Sequence, residues 1–394
     1  MPFIGQMPPP VALTASDITD GIISTAKLAD DAVTTAKTSY NDIPFRNIII
    51  NGDISIAQRS ASASSLTSSG YHAIDRFRCV IVTAGTWTIS QSTTVPSGQG
   101  FAKSLKWDNT TADGSLGSGD FVSVQQFIEG QNLQHLKKGT SNAESLTVSF
   151  WVRSNKTGTY ICELKDNDNS RAISQSYTIS SADTWEKKEL TFAGDTTGAL
   201  DNDNAASFTV QFGLAAGSNY TSGTLQTSWG SETTANRYVG QVNLADSTSN
   251  EWYMTGLQVE VGTSASDFEF IPFDVNWLRC LRYCIAIGNA PGGTTYNYAD
   301  NSIIGHYYNN TDFYPNYFYP VPMRATPGVT FSGTGSGLGV VYSDSAGDTT
   351  TSNGTNVTSN TNLNFRCSTS QSNQTYGGAF DFSADQYALL SAEL

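Results

Sequence analysis

A ten-residue unit written twice constrains this chain more than any other feature: Ile18-Thr-Asp-Gly-Ile-Ile-Ser-Thr-Ala-Lys27, then Leu28-Ala-Asp-Asp-Ala-Val-Thr-Thr-Ala-Lys37. Apolar residues coincide at Ile18/Leu28 and Ile23/Val33, Asp20 coincides with Asp30, and the Ser/Thr-Thr-Ala-Lys ending recurs whole. A unit this short and polar cannot bury a core alone, and repeats normally solve that by stacking on neighbours. Two copies do not stack far enough along a single chain. Parallel copies of the chain that bury their Ile, Val and Leu rows against each other do. The repeat predicts a slender, multi-chain shaft with its joint over 17–43.

Beyond the joint the pattern changes to period two. Leu146, Val148, Phe150 and Val152 fall on one face of a strand, as do Phe208, Val210, Phe212 and Leu214. Leu257, Val259 and Val261 form a third row, and Val122, Val124 and Ile128 a fourth. Turn-forming clusters such as Ser97-Gly-Gln-Gly100, Asp166-Asn-Asp-Asn169 and Asp201-Asn-Asp-Asn204 separate them. One-sided strands must pair their apolar faces, so 44–275 reads as an antiparallel jelly-roll β-sandwich. Residues 276–286 form the best short helix, linking it to a C-terminal tip domain (276–394 with the helix) that reads as a smaller β-sandwich. The expected fold is all-β, carried on an extended N-terminal shaft. Residues 1–16 are Pro-rich and extended, with Phe3, Ile4 and Met7 as anchoring groups for another protein.

Composition excludes several classes. The net charge of −14 and the absence of a Lys/Arg cluster argue against nucleic-acid binding. No apolar run is long enough to insert in a membrane. The Met1–Pro10 start lacks the basic and apolar stretches of a signal peptide, which implies release by a route such as cell lysis. Five cysteines at irregular spacing read as buried, reduced thiols, and no residue set has the spacing of a cofactor, metal or catalytic site. The Asp-Asn-Asp-Asn stretches have oxygens suited to Ca²⁺ but lack the Gly and distal Glu of an EF-hand loop, and read as turns.

Short motifs then carry a resemblance. Asn47-Ile-Ile-Ile-Asn-Gly-Asp53, Gln58-Arg59 and Asp75-Arg76-Phe77 resemble the start of a phage tail-fibre domain with a carbohydrate-binding-module-like jelly roll. Gly256–Gly262, Phe268-Glu-Phe270, Pro272-Phe273 and Cys280-Leu-Arg-Tyr283 are similar to its closing strand and exit helix. Val321–Pro327 and Ser391–Leu394 resemble the tip of such fibres, and the Met-Pro-Phe-Ile-Gly start with the repeats is similar to virion-attachment ends in marine and cyanobacterial podoviruses. The resemblance implies a homotrimeric fibre held in the virion tail through its N-terminus by other tail proteins, made in the host cytoplasm, and contacting a host surface glycan or lipopolysaccharide. It implies no catalytic residue.

Sugars stack their C–H faces on aromatic rings and hydrogen-bond to planar polar groups around them. Strict alternation puts Trp151 and Arg153, Gln211, and Trp252, Gln258 and Glu260 on faces opposite the core rows, making them glycan-contact candidates if the three strands share a sheet. Tyr296, Tyr298, Tyr307, Tyr308 and Tyr317 in the C-terminal part form a second candidate set, of the Tyr/Asn-rich kind used by adaptable recognition surfaces. Three functions compete: a non-enzymatic receptor-binding fibre, a glycan-depolymerising tailspike, which needs two carboxyls across the scissile bond, and a purely structural fibre.

Overall fold

The computed structural model describes residues 44–288, 303–308, 312–332, 336–342, 347–369, 377–382 and 386–394. The anchor residues Phe3, Ile4 and Met7, the decapeptide repeats, and Tyr296 and Tyr298 lie outside the described residues. Phe45–Leu394 is one compact unit.

Its first part contains β1 (Ser62–Leu66), β2 (Arg78–Val82), β3 (Thr86–Ser92), β4 (Ser104–Thr111), β5 (Phe121–Glu129), β6 (Leu146–Ser154), β7 (Gly158–Asp166), β8 (Arg171–Ile179), β9 (Glu186–Phe192), β10 (Ala206–Ala216), β11 (Gly230–Ser231) and β12 (Glu251–Val261), with a single helical turn α1 (Ser218–Thr221). They form two antiparallel six-stranded sheets, ordered β1-β3-β4-β12-β6-β9 and β11-β8-β7-β10-β5-β2. The strand rows read from the sequence fill the space between them. Val148, Phe150 and Val152 of the first sheet meet Phe208, Val210, Phe212 and Leu214 of the second, and Phe150 stands edge-on to Phe212 at 4.8 Å between ring centres. Trp87, Trp107 and Trp252 complete this core, all fully buried. The five cysteines are buried.

Helix α2 (Phe273–Leu281) leads into β13 (Cys284–Gly288), β14 (Ile303–Tyr307), β15 (Asp312–Phe318), β16 (Gly328–Phe331), β17 (Ser336–Tyr342), β18 (Gly347–Thr358), β19 (Asn362–Thr369), β20 (Gly377–Phe382) and β21 (Tyr387–Ser391). Where a smaller sandwich was expected, β14-β15-β19-β18-β17-β20 close into a barrel, and β13-β21-β16 form a separate three-stranded sheet. Closure removes the open edges that a sheet of this size would expose. Phe313, Leu363, Phe365, Cys367 and Phe380 fill the barrel, and their core runs on through Met323 and Ile285 to Trp277 of α2.

Several of the residues that carry the family resemblance meet where the two parts join. Asn47 accepts from Ile49 and Val259 backbone N–H groups and donates to the Leu257 carbonyl, tying the entering chain to β12. The Gln126 side-chain amide of β5 makes both backbone hydrogen bonds of Ile50, as a neighbouring strand would. Asp75 accepts from Gln58 N–H, and Gln58 donates to the Cys284 carbonyl. Arg59 and Arg76 both pair with Glu393, and Arg76 stacks 3.5 Å over Tyr283. Most buried polar groups are satisfied in this way. These motif residues are thus a polar weld between sandwich and barrel.

A second buried knot sets three loops. The Lys138 ammonium pairs with Asp166 and, at 2.9 Å, with Asp195, and donates to the carbonyls of Thr197 and Gly198. Arg171 forks onto Asp195 from the other side. The first Asp-Asn-Asp-Asn stretch therefore spends its leading carboxylate on a lysine, and Asp168 of the same stretch accepts from the Asp201 N–H that opens the second.

Candidate ligand-binding groove

The outer faces of the two sheets have different fates. On the second sheet, residues 217–243 run across β10, β7 and β8. Arg237 and Tyr238 both reach Glu163 of β7, Gln241 accepts from Ile161 N–H, and Gln226 bonds Ala172 and Ser174 of β8. Tyr238, Phe121 and Ile161 form a small apolar cluster beneath this strap. Gly213 of β10 is required there, since a Cβ would lie 2.5 Å from the Tyr238 ring. Glu163 is fully buried, and Arg237 hydrogen-bonds both of its oxygens.

Gln211 lies under this strap. It is 2% exposed and hydrogen-bonded to Glu163, in the sheet opposite the one that holds Trp151. The expectation that the three strands share a face is thereby corrected. Their register puts β6 beside β12 but sends β10 between β5 and β7.

A second correction concerns Trp252. Strict alternation along 252–261 placed it outside with Gln258 and Glu260, yet it is fully buried in the core. The pairing of β12 with β6 shifts register between Thr255 and Gln258, where Gly256 adopts φ +64°. One extra residue in a strand reverses the facing of everything before it. Trp252 and Met254 therefore point in with Leu257 and Val259, while Tyr253 and Thr255 take the outer face. Tyr253 sits there under Arg153, 4.9 Å from the guanidinium to the ring, and against Trp185. Its hydroxyl donates to Glu251, which Lys106 also pairs at 2.6 Å. Burial works against charge on Glu251, yet these hydrogen bonds hold it below the usual carboxylate range.

Gln258 and Glu260 do face outward, but both are buried by the returning segment 264–270. Glu260 accepts from Ser266 N–H and Oγ, and Gln258 accepts from Glu269 N–H. They act as a clamp for that segment. What the clamp holds up is a wall of aromatic rings. Phe268 and Phe270 pack on each other at 4.9 Å and on Phe101 at 5.1 Å. Phe101 closes over the bulge, where a Cβ on Gly256 would fall 2.5 Å from its ring.

Between this wall and strands β6 and β9 lies a groove of about 370 Å³. Trp151 and Ser149 contribute from β6, Lys187 from β9, Gln99 from the 97–100 turn, and Asp267 from the returning segment. Trp151 lies directly across from Lys187 in the strand register and is half-buried, while Phe270 is 54% exposed. The rings offer apolar faces and the rim offers an amide, a hydroxyl, an ammonium and a carboxylate. Of the sequence-derived candidates among the described residues, Trp151 alone lines the groove, with Arg153 further along the same strand beside Tyr253. The residues missed are Phe101, Phe268, Phe270, Gln99, Lys187 and Asp267. The Phe268-Glu-Phe270 spacing was the available signal, since residues two apart in extended backbone point to the same side and bring both rings together.

In the barrel, Tyr307 and Tyr317 turn toward the core, and Tyr308 is 76% exposed. Tyr308 meets Tyr314, which stacks on His306. This patch is separate from the groove. Among the described residues no His, Cys, Asp and Glu group is placed to hold a metal ion, and no helix is long and apolar enough to cross a membrane.

No family model matches the sequence, and no curated protein does. Among solved structures the chain is similar to the enzymatically active domain of bacteriophage CBA120 tailspike protein 4, at 12% identity and a TM-score of 0.30, covering 56% of this chain and 22% of that one. It is also similar to the module TmCBM61 in complex with β-1,4-galactotriose, at 10% identity and a TM-score of 0.29 over 55% of this chain and 99% of the module. A family 11 carbohydrate-binding module from Clostridium thermocellum, in complex with a β-1,3-1,4-mixed-linked tetrasaccharide, gives 12% identity and a TM-score of 0.24 over 52% and 98%.

Proposed function

We propose that this chain is a non-catalytic, glycan-recognising fibre protein of a phage tail, and that the groove beside Trp151 is its sugar contact. The observation that carries the reading is the meeting of Trp151, Phe101 and Phe270 with Gln99, Ser149, Lys187 and Asp267 in one groove on the sheet face. Ring faces receive the C–H side of a pyranose and the rim groups take its hydroxyls. Asp267 is the single carboxylate among the described residues lining it. Glycoside hydrolysis by the usual route uses a pair, so binding without cleavage fits the groove better.

In this reading the repeats bring three chains together, the Pro-rich N-terminus with Phe3, Ile4 and Met7 docks into other tail proteins, and the barrel forms the distal tip. Three weak sites per fibre raise avidity without a strong single contact. Host polysaccharide incubated with the purified full chain tests this. Retention with unchanged polymer size, lost on Trp151→Ala, is the expected result. Falling polymer size would establish depolymerisation instead, and retention unaffected by Trp151→Ala would remove the groove from the account.

A further inference from the structure

A second cavity, of about 340 Å³, opens between α2, β5 and the Phe45–Ile50 segment. Its floor is apolar, from Ile48, Ile50 and Phe127, and three arginines reach its wall: Arg76, Arg279 and Arg282. Two have carboxylate partners. Arg282 forks onto Glu129 at 2.8 and 2.6 Å, and Arg76 pairs with Glu393. Arg279 differs. Its one long contact is 3.5 Å, to the Asn47 carbonyl, and it forms no ion pair among the described residues. Glu269 acts on it from further away, but that carboxylate is occupied by the backbone N–H groups of Phe45 and Asn47. Glu129 is likewise taken up by Arg282, Tyr283 and Gln131.

Burial pushes the Arg279 guanidinium below its ordinary value, yet arginine does not give up its proton in proteins. A partly desolvated cation without a counter-ion is a standing cost in a chain that otherwise carries a net charge of −14. Beside it, Arg76 is committed to Glu393 and to the Phe127 carbonyl, with its Nε–H buried away from the cavity. Both arginines line the cavity, and Arg279 is the one whose guanidinium keeps capacity for an anion from outside.

We propose that this cavity binds a carboxylate-bearing ligand of monosaccharide size, a uronic-acid-type sugar, with its carboxylate on Arg279 and its ring on Phe127 and Ile48. A planar carboxylate matches the guanidinium fork, and the volume lies within the range of small-ligand sites. This site is distinct from the Trp151 groove and does not depend on it.

Titration of the full chain with galacturonate, galactose and inorganic phosphate, followed by calorimetry, tests it. Galacturonate binding, absent for galactose and weakened at least about tenfold by Arg279→Gln, is expected, a loss typical of a charge-assisted fork. Asn132→Asp, an exposed change at the cavity rim, should weaken galacturonate by roughly two- to fivefold through like-charge repulsion while leaving the fold untouched. Trp151→Ala should leave galacturonate binding at this site unchanged, which separates it from failure of the groove. No galacturonate binding, binding indifferent to Arg279→Gln and Asn132→Asp, or phosphate bound as well as galacturonate would each overturn the proposal.

Discussion

The two sheets of the sandwich have the same number of strands and share one core, yet their outer faces have opposite fates. The β7–β10 face is roofed by residues 217–243: Glu163 is spent on holding that roof, Gln211 on Glu163, and Thr209 on Asn167. The β6–β12 face is only half covered, by a short returning segment clamped through Gln258 and Glu260. Beyond the clamp, Trp151 and Phe270 remain reachable. A sheet face becomes a ligand surface when its polar groups are left with capacity for an incoming partner. The same residue types serve as internal fasteners when a loop reaches them first.

The largest test of this contrast is Glu163→Ala on the roofed face. It strands the Arg237 guanidinium beneath the strap, and breaking a buried pair costs about 3–5 kcal/mol. Urea unfolding should show a loss of that order, with earlier proteolysis inside 217–243 and little change in glycan retention. Retention that falls in proportion would mean the roofed face carries the ligand after all.

Gly256→Val comes next, because it attacks the bulge that divides the open face. Its φ of +64° and the 2.5 Å approach to Phe101 forbid a side chain without movement of the wall. A destabilisation of about 1–3 kcal/mol is expected, with loss of groove binding. Unchanged affinity would show that the Phe101 wall takes no part.

Trp151→Ala inverts the pattern. It should weaken glycan binding by about 1–3 kcal/mol, the range seen when a stacking ring is removed from a wet site, while thermal stability shifts little for a half-exposed residue. Gln211→Ala, paired with it, should leave binding alone.

The smallest effect is electrostatic. Glu251, at the far end of the open face, has its folded pKa lowered by Lys106 and Tyr253 despite opposing desolvation. A depressed carboxylate stabilises the fold above its unfolded pKa and loses that contribution as pH falls through the folded value. Its side chain is 33% exposed, so screening reduces the gain to a few tenths of a kcal/mol. Melting temperatures of wild type and Glu251→Gln should differ slightly at pH 6 and converge near pH 3. A gap that widens toward acid would reverse the sign of the argument.

These results also mark what a strand pattern can and cannot convey. Unbroken alternation at 146–152 and 208–214 identified core rows correctly, because period two is a local property of extended backbone. It could not say which rows share a sheet, since that depends on pairings between strands far apart in the chain, and Gln211 was misplaced for that reason. In 252–261 a single glycine reversed the facing, and Trp252 went to the core in place of Tyr253. An isolated glycine inside a strand pattern is itself a sign of a bulge, so that reversal was legible in principle. The groove wall was not. Phe101 and Phe270 come together with Trp151 only through chain separations that no local period records. The motifs that carried the family resemblance divide between the internal weld of Asn47, Gln58, Arg59, Asp75 and Arg76 and the Phe268-Glu-Phe270 wall of the groove.

The Lys138 knot has a further consequence. Oxygen cages that fix loops are commonly filled by a dissociable ion, and such loops answer to chelators and to the hardness of the water. Here the positive centre is covalently part of the polymer, so it can be neither leached nor exchanged, and the shape of that corner is independent of the medium's mineral content.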